Sequence, residues 1–201
     1  MIACDYTHPY IDRFLKEVAT MPFLDAYIPS DALSPSAERG LIAKLTDLLL
    51  EHEGVDPANE RGRRLAWVFV HRPDVYVGSA PPKAPRYRFI CQVPEGQYDD
   101  ERRAAVTAAI CRAVADAEDG AWRHPELRVG VFALEVPDGT WGGGGGILRL
   151  PDIYELVWPP AQGIDGEPRE AAEDILAERR RSEAAGLLAA AGEQSRTPVR
   201  S

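Results

Sequence analysis

Apolar and polar positions follow two rhythms along the chain, and each rhythm occurs twice. In "PFLDAYIP" (22–29) the apolar residues alternate loosely, which predicts a half-buried strand. In "DALSPSAERGLIAKLTDLLLEHEG" Leu41, Leu45, Leu48 and Leu49 recur three and four apart, which predicts a helix with one apolar face. Its ends are marked: Ser34 stands as N-cap, Pro35 at the first helical position and Gly54 past the last turn. "RLAWVFVH" (64–71) predicts a second strand, which runs into the turn-like "RPDVYVG".

The same order then returns. "RYRFICQVP" (86–94) predicts a strand, residues 99–120 a helix capped by Asp99 or Asp100, and "LRVGVFALEV" (127–136) a strand ending in "PDGTWGGGGG". A single shift of 65 residues lays Leu41 on Val106, Leu45 on Ile110 and Leu49 on Val114. It also lays Arg63 on Arg128, Trp67 on Phe132, Tyr76 on Trp141 and Gly78 on Gly143. One ungapped offset that matches core, arginine, aromatic and glycine positions identifies two β-α-β units in tandem.

The two strands of each unit must run parallel, because the helix between them is a crossover. The expected fold class is therefore α+β, with tandem β-α-β units forming one four-stranded sheet that carries two helices on one face. The near-continuous apolar runs "AWVFV" and "VGVFALEV" require cover on the other face too, and further subunits are the simplest cover. The units span residues 22–78 and 86–160, joined by the linker "SAPPKAP" (79–85), and the second ends in a short strand or arm, "ILRLPDIYELVWPP". Residues 161–201 predict a helical tail with a disordered end, its helix acidic early and arginine-rich later, as suits the helix dipole.

Composition narrows the function. The chain has 201 residues and a net charge of −9, which argues against a nucleic-acid or anionic-membrane partner, since phosphate binding needs a basic face. A small acidic metabolite stays open, because a few local arginines hold a carboxylate inside an acidic protein. Cys4, Cys91 and Cys111 have no metal-ligand or disulfide spacing, which fits a reducing cytoplasm, and no apolar run is long enough to span a membrane. The glycine run 142–146 is no dinucleotide fingerprint, since an extended segment and no helix follows it, and it predicts a hairpin.

A strand opening Met21-Pro22, then a helix, a strand and a glycine-rich "GTWGGGG" hairpin, fused in tandem, resembles the tautomerase superfamily. That group includes oxalocrotonate tautomerase, macrophage migration inhibitory factor, malonate semialdehyde decarboxylase and cis-3-chloroacrylic acid dehalogenase. The resemblance covers residues 22 to about 158. It implies a homotrimer and a reaction without metal or cofactor, in which the secondary amine of an amino-terminal proline shuttles a proton on a small carboxylate such as a 2-hydroxydienoate or arylpyruvate. Burial disfavours the charged amine and lowers its pKa from the usual value of about 8, so it acts as a base near pH 7.

Pro22 would be that base, and only as the first residue, because an internal proline nitrogen is an amide with no basic lone pair. The codons of "KEV" (16–18) can read AAG-GAG-GTN, a bacterial ribosome-binding sequence at a suitable distance from Met21. Residues 1–21 are therefore expected to be leader. Should Met1 be the true start, the chain is expected to be a non-catalytic oligomeric binding protein.

Several family positions are vacant here. Where dehalogenases carry a histidine, two arginines, a tyrosine and a glutamate, this chain has Leu49, Pro94, Gln97, Phe132 and Gly142. Ala32 and Gln97 follow the first strand of each unit, where relatives often place an arginine, and Leu65 and Gly130 stand at the second-strand arginine of the short tautomerases. Dehalogenation, hydration or decarboxylation is accordingly the weaker alternative to tautomerisation. Arg63 and Arg128, two residues earlier and on the same expected strand face, are the candidates to bind the carboxylate. Tyr76 and Trp141 match the aromatic wall beside the family's proline.

Overall fold

The structure, a computed structural model, describes residues 22–143, 145–158 and 168–194, with side chains as far as Leu188. The expected leader and the expected disordered end lie outside the described residues. Strand β1 (Phe23–Tyr27) is followed by helix α1 (Pro35–His52), a short helix α2 (Glu60–Leu65) and strand β2 (Trp67–His71). Strand β3 (Tyr87–Pro94), helix α3 (Asp100–Ala117) and strand β4 (Val129–Val136) form the second unit. A hairpin of β5 (Trp141–Gly143) and β6 (Gly146–Leu148) comes next, then helices α4 (Leu150–Val157) and α5 (Pro168–Gln194).

The strands form one four-stranded sheet in the order β2-β1-β3-β4. Pairs β1–β2 and β3–β4 are parallel and β1–β3 is antiparallel, so the two units meet head to tail at the centre of the sheet. The α+β class and the tandem arrangement expected from the sequence are both present. The 65-residue shift carries α1 onto α3 residue for residue, from Pro35–His52 to Asp100–Ala117.

Both helices begin where expected, with Ser34 accepting from the amide of Ala37 and Asp99 from that of Arg102. Their apolar faces cover one side of the sheet. Leu24 and Ala26 of β1, Ile28 just beyond it, and Phe89, Cys91 and Val93 of β3 are buried against Leu41, Leu45 and Leu49 of α1 and Val106, Ile110 and Val114 of α3. The other side of the sheet carries Phe23, Trp67, Phe69, Ile90, Phe132 and Leu134, by register and the period of two. Phe69 is 44% and Phe132 47% exposed, so among the described residues the β2 and β4 parts of this face are left without cover.

Two sequence expectations need correction. The strand predicted over 64–71 begins only at Trp67, because Asn59 caps a helix through Leu65 by accepting from the amides of Arg61 at 3.0 Å and Gly62 at 3.1 Å. The segment after the hairpin is extended only to Leu148, and helix α4 replaces the expected arm, with Leu150, Ile153 and Val157 buried at helical spacing.

The tail helix α5 packs its first half onto the body. Ala172 and Leu176 are buried with Leu150, and Arg179 donates to Glu135 at 2.6 Å. Gly96 makes the close approach possible: its φ is +91°, and a side chain there would meet Ile175 at 2.6 Å.

Candidate active site

Pro22 heads β1 and is buried. Its carbonyl accepts from the amide of Trp67 at 3.1 Å, which continues the parallel ladder one residue beyond the strand. The next residue, Phe23, is the hub of an aromatic cluster. Its ring lies 5.3 Å from Trp67, 5.9 Å from Phe69 and 5.1 Å from Trp141. Leu50, Val55, Leu65 and Leu148 close the space behind the cluster. Pro22 itself is buried, and burial disfavours charge on a group at this position.

Trp141 is 5% exposed at the start of the glycine hairpin, its ring tilted over Phe23. Its indole Nε1 is buried and has no acceptor among the described residues. Tyr76 is elsewhere: it is 66% exposed in the loop after β2 and takes no part in the aromatic cluster.

The two arginines are not where the sequence expects them. Arg63 lies on helix α2 rather than on a strand, ion-paired with Asp47 and donating to the carbonyl of Pro57 at 3.0 Å. Arg128 precedes β4, and the register puts it at the far end of the sheet: its neighbour Val129 pairs with Tyr87, whereas Pro22 adjoins the Phe23–Gln92 pair. Arg128 is 4% exposed and donates from both terminal nitrogens to Glu118, at 2.6 and 2.5 Å. Tyr87 donates to the same carboxylate at 3.0 Å.

The mismatch has a local cause. β1 pairs with β2 at a spacing of 44 residues (Phe23 with Trp67), but β3 pairs with β4 at a spacing of 42 (Tyr87 with Val129). The offset that aligns the helices thus fails by two residues at the second strands, and Arg128 corresponds in space to Leu65, not to Arg63. Since the 65-residue shift also carries Pro22 onto Tyr87, the Arg128–Glu118–Tyr87 network fills in the second unit the position that Pro22 holds in the first.

A second buried group near this end was not legible in the sequence. Glu53, at the end of α1, is 7% exposed, its Oε1 has no partner among the described residues, and burial pushes its pKa up to about 8. Burial, and then the nearby Glu53, push the Cys91 thiol up to about 12, so Cys91 is an inert core thiol at neutral pH. The only sequence signal for Glu53 is a carboxylate placed between the leucine-rich face of α1 and the helix-ending Gly54. No group of His, Cys, Asp and Glu among the described residues is arranged to hold a metal ion.

No protein-family model and no curated protein matches the chain. Solved structures do. N1, a member of the cis-3-chloroacrylic acid dehalogenase family, superimposes with a TM-score of 0.55 at 16% identity, over 76% of this chain and 99% of its own. A native fused 4-OT superimposes with a TM-score of 0.52 at 19% identity, over 63% of this chain and 95% of its own. The protein Pt0534, solved after inactivation by 2-oxo-3-pentynoate, gives 0.51 at 22% identity over 63% and 95%. With its two head-to-tail β-α-β units, shared helix face and hairpin, the chain has the tautomerase-superfamily fold in its fused, tandem form.

Proposed function

We propose that this protein is a cofactor-independent tautomerase that uses the amine of Pro22, as the first residue of the chain, to move a proton on a small enol or keto acid. The observation that carries the reading is the position of Pro22, buried at the head of β1 and directly before Phe23 of the aromatic cluster, in a tautomerase fold. In such surroundings the neutral amine is favoured over the ammonium ion at pH 7. The amine's lone pair takes a proton from the carbon next to the substrate carbonyl, electrons flow to the carbonyl oxygen, and the ammonium returns the proton at the other end of the dienol. The Trp141 indole N–H, which has no acceptor among the described residues, suits the oxygen that gains this charge.

The apolar second face of the sheet fits assembly with further copies, and a homotrimer is the reading we adopt. Fused 4-OT structures have been solved as symmetric and asymmetric trimers. Arg128 lies outside the catalytic role in its own chain, because its donors are used by Glu118.

The test is covalent capture. A chain that begins at Pro22 is treated with 2-oxo-3-pentynoate, and its intact mass and amino-terminal peptide are measured. Attack of the amine on the alkyne carbon conjugated to the ketone forms a C–N bond, and the amine proton ends on the adjacent carbon. The expected result is a mass gain of one molecule of the acid, located on Pro22, together with ketonisation of enol-phenylpyruvate by the untreated chain. Labelling elsewhere, or full activity in Pro22→Ala, overturns the proposal.

A further inference from the structure

At the end of the sheet opposite Pro22 lies a cavity of about 370 Å³, enclosed by the loops that follow β1 and β2, the linker before β3 and the loop after α3. From Pro22 to Pro29, where the first of these loops begins, the extended chain covers about 23 Å. The cavity is therefore separate from the candidate active site.

Its walls are held in place. Pro29, Pro73, Pro82 and Pro85 stand in them, each with φ fixed by its ring. Arg128 ties two of the walls together from behind: its Nη1 donates to the carbonyl of Pro85 at 3.4 Å and its Nη2 to that of Trp122 at 3.5 Å, while the same guanidinium is paired with buried Glu118. The turn from Pro29 to Ala32 is closed by the Ala32 amide, which donates to the Pro29 carbonyl at 3.2 Å, and holds Asp31 at φ +60°.

Three charged side chains line the cavity: Asp31, Asp74 and Lys83. Among the described residues none of them has a hydrogen-bond or ion-pair partner, whereas Arg72, two residues before Asp74, is bound by Glu38 at 2.7 and 2.6 Å. Trp122 adds an indole that is 41% exposed. Two carboxylates, one ammonium and an aromatic face complement a ligand with two cationic groups, one carboxylate and an aliphatic stem. Opposite charges pair at each pole, and the indole covers the stem and attracts a cation to its face.

We infer that this cavity binds a basic α-amino acid of the lysine type, with Lys83 on its carboxylate, Asp31 and Asp74 on its two ammonium groups and Trp122 over the carbon chain between them. The site stands independently of the reading of Pro22, because none of its lining residues belongs to the aromatic cluster at the head of β1. Asp31, Asp74 and Lys83 are exposed, so replacing them changes the lining of the cavity and leaves the core intact.

Calorimetric titration of the full chain with L-lysine tests the assignment, against L-norleucine, which lacks the side-chain ammonium, and cadaverine, which lacks the carboxylate. Loss of one charge-assisted pair weakens binding by roughly tenfold to a hundredfold. The expected result is binding of lysine, with norleucine and cadaverine each weaker by that factor. Lys83→Met is expected to bring lysine down to the level of cadaverine without weakening cadaverine, and Asp74→Asn to weaken lysine while the circular dichroism spectrum stays that of the parent. Asp31→Asn, which keeps a residue type that accepts the left-handed backbone, is expected to act as Asp74→Asn does. No saturable binding of lysine by the parent chain, equal affinity for lysine and norleucine, or unchanged lysine binding in Lys83→Met or Asp74→Asn overturns the inference.

Discussion

The amide of Trp67 donates to the carbonyl of Pro22 at 3.1 Å, so the ladder between β1 and β2 fixes this residue through its backbone oxygen and leaves its nitrogen out of the sheet. Replacing the ring does not disturb that bond. Pro22→Ala is expected to keep the circular dichroism spectrum and assembly state of the parent while losing about 10²–10⁴-fold in turnover, the usual share of a general acid–base group. A variant that keeps its turnover would show that the chemistry lies elsewhere.

Arg128 should matter for stability and not for catalysis. Its pair with Glu118 is almost fully enclosed, with side-chain exposures of 4% and 1%. Arg128→Met leaves an uncompensated buried carboxylate, and denaturant unfolding is expected to show a loss of about 3–5 kcal/mol. The double variant Arg128→Met, Glu118→Gln removes the stranded charge and should recover a large part of it. Arg63→Ala, whose pair with Asp47 is open to solvent, is expected to cost less than about 1 kcal/mol.

The same two arginines mark what could be read from the sequence. Helix positions were legible because caps and apolar spacing are local: Ser34, Asp99 and the leucines of α1 fall where the pattern puts them. Register was not. Whether the second strand of each unit pairs at a spacing of 44 or 42 residues depends on how many residues the connection uses up, and in the first unit Asn59 captures 60–65 into a helix. That local cap moved Arg63 off the strand, while Glu118, ten residues from Arg128, took the other arginine. The hairpin that begins at Trp141 was legible because its glycine run is a local signal. Glu53 was not, since a carboxylate between a leucine-rich helix face and a helix-ending glycine reads equally well as solvated.

The exposed sheet face gives a prediction about assembly. Phe69 projects from edge strand β2 beside Phe23 and Trp67 and is 44% exposed. In an assembly that covers this face, Phe69→Asp would bury a charge with no partner. Sedimentation velocity is expected to show trimer for the parent and monomer for Phe69→Asp, with the monomer's helix content unchanged because α1 and α3 cover the opposite face. A variant that stays trimeric would place the interface elsewhere.

Glu53 sets a pH dependence whose sign follows from its burial. Its folded-state pKa of about 8 lies above the ordinary 4.5, so between those values the folded chain holds a proton that the unfolded chain has released. Stability therefore falls as pH rises through this window, and the stabilising contribution of the protonated carboxyl is lost once pH passes the folded value. At pH 7 the penalty is about 3 kcal/mol, from 1.36 kcal/mol per pH unit above the unfolded value. Glu53→Gln presents a neutral group of the same shape at every pH. Unfolding followed from pH 5 to 8 is expected to show a declining stability in the parent, a flatter profile in Glu53→Gln, and the largest gain for the variant at the alkaline end. Equal slopes in the two proteins would mean that Glu53 reaches water in the folded state.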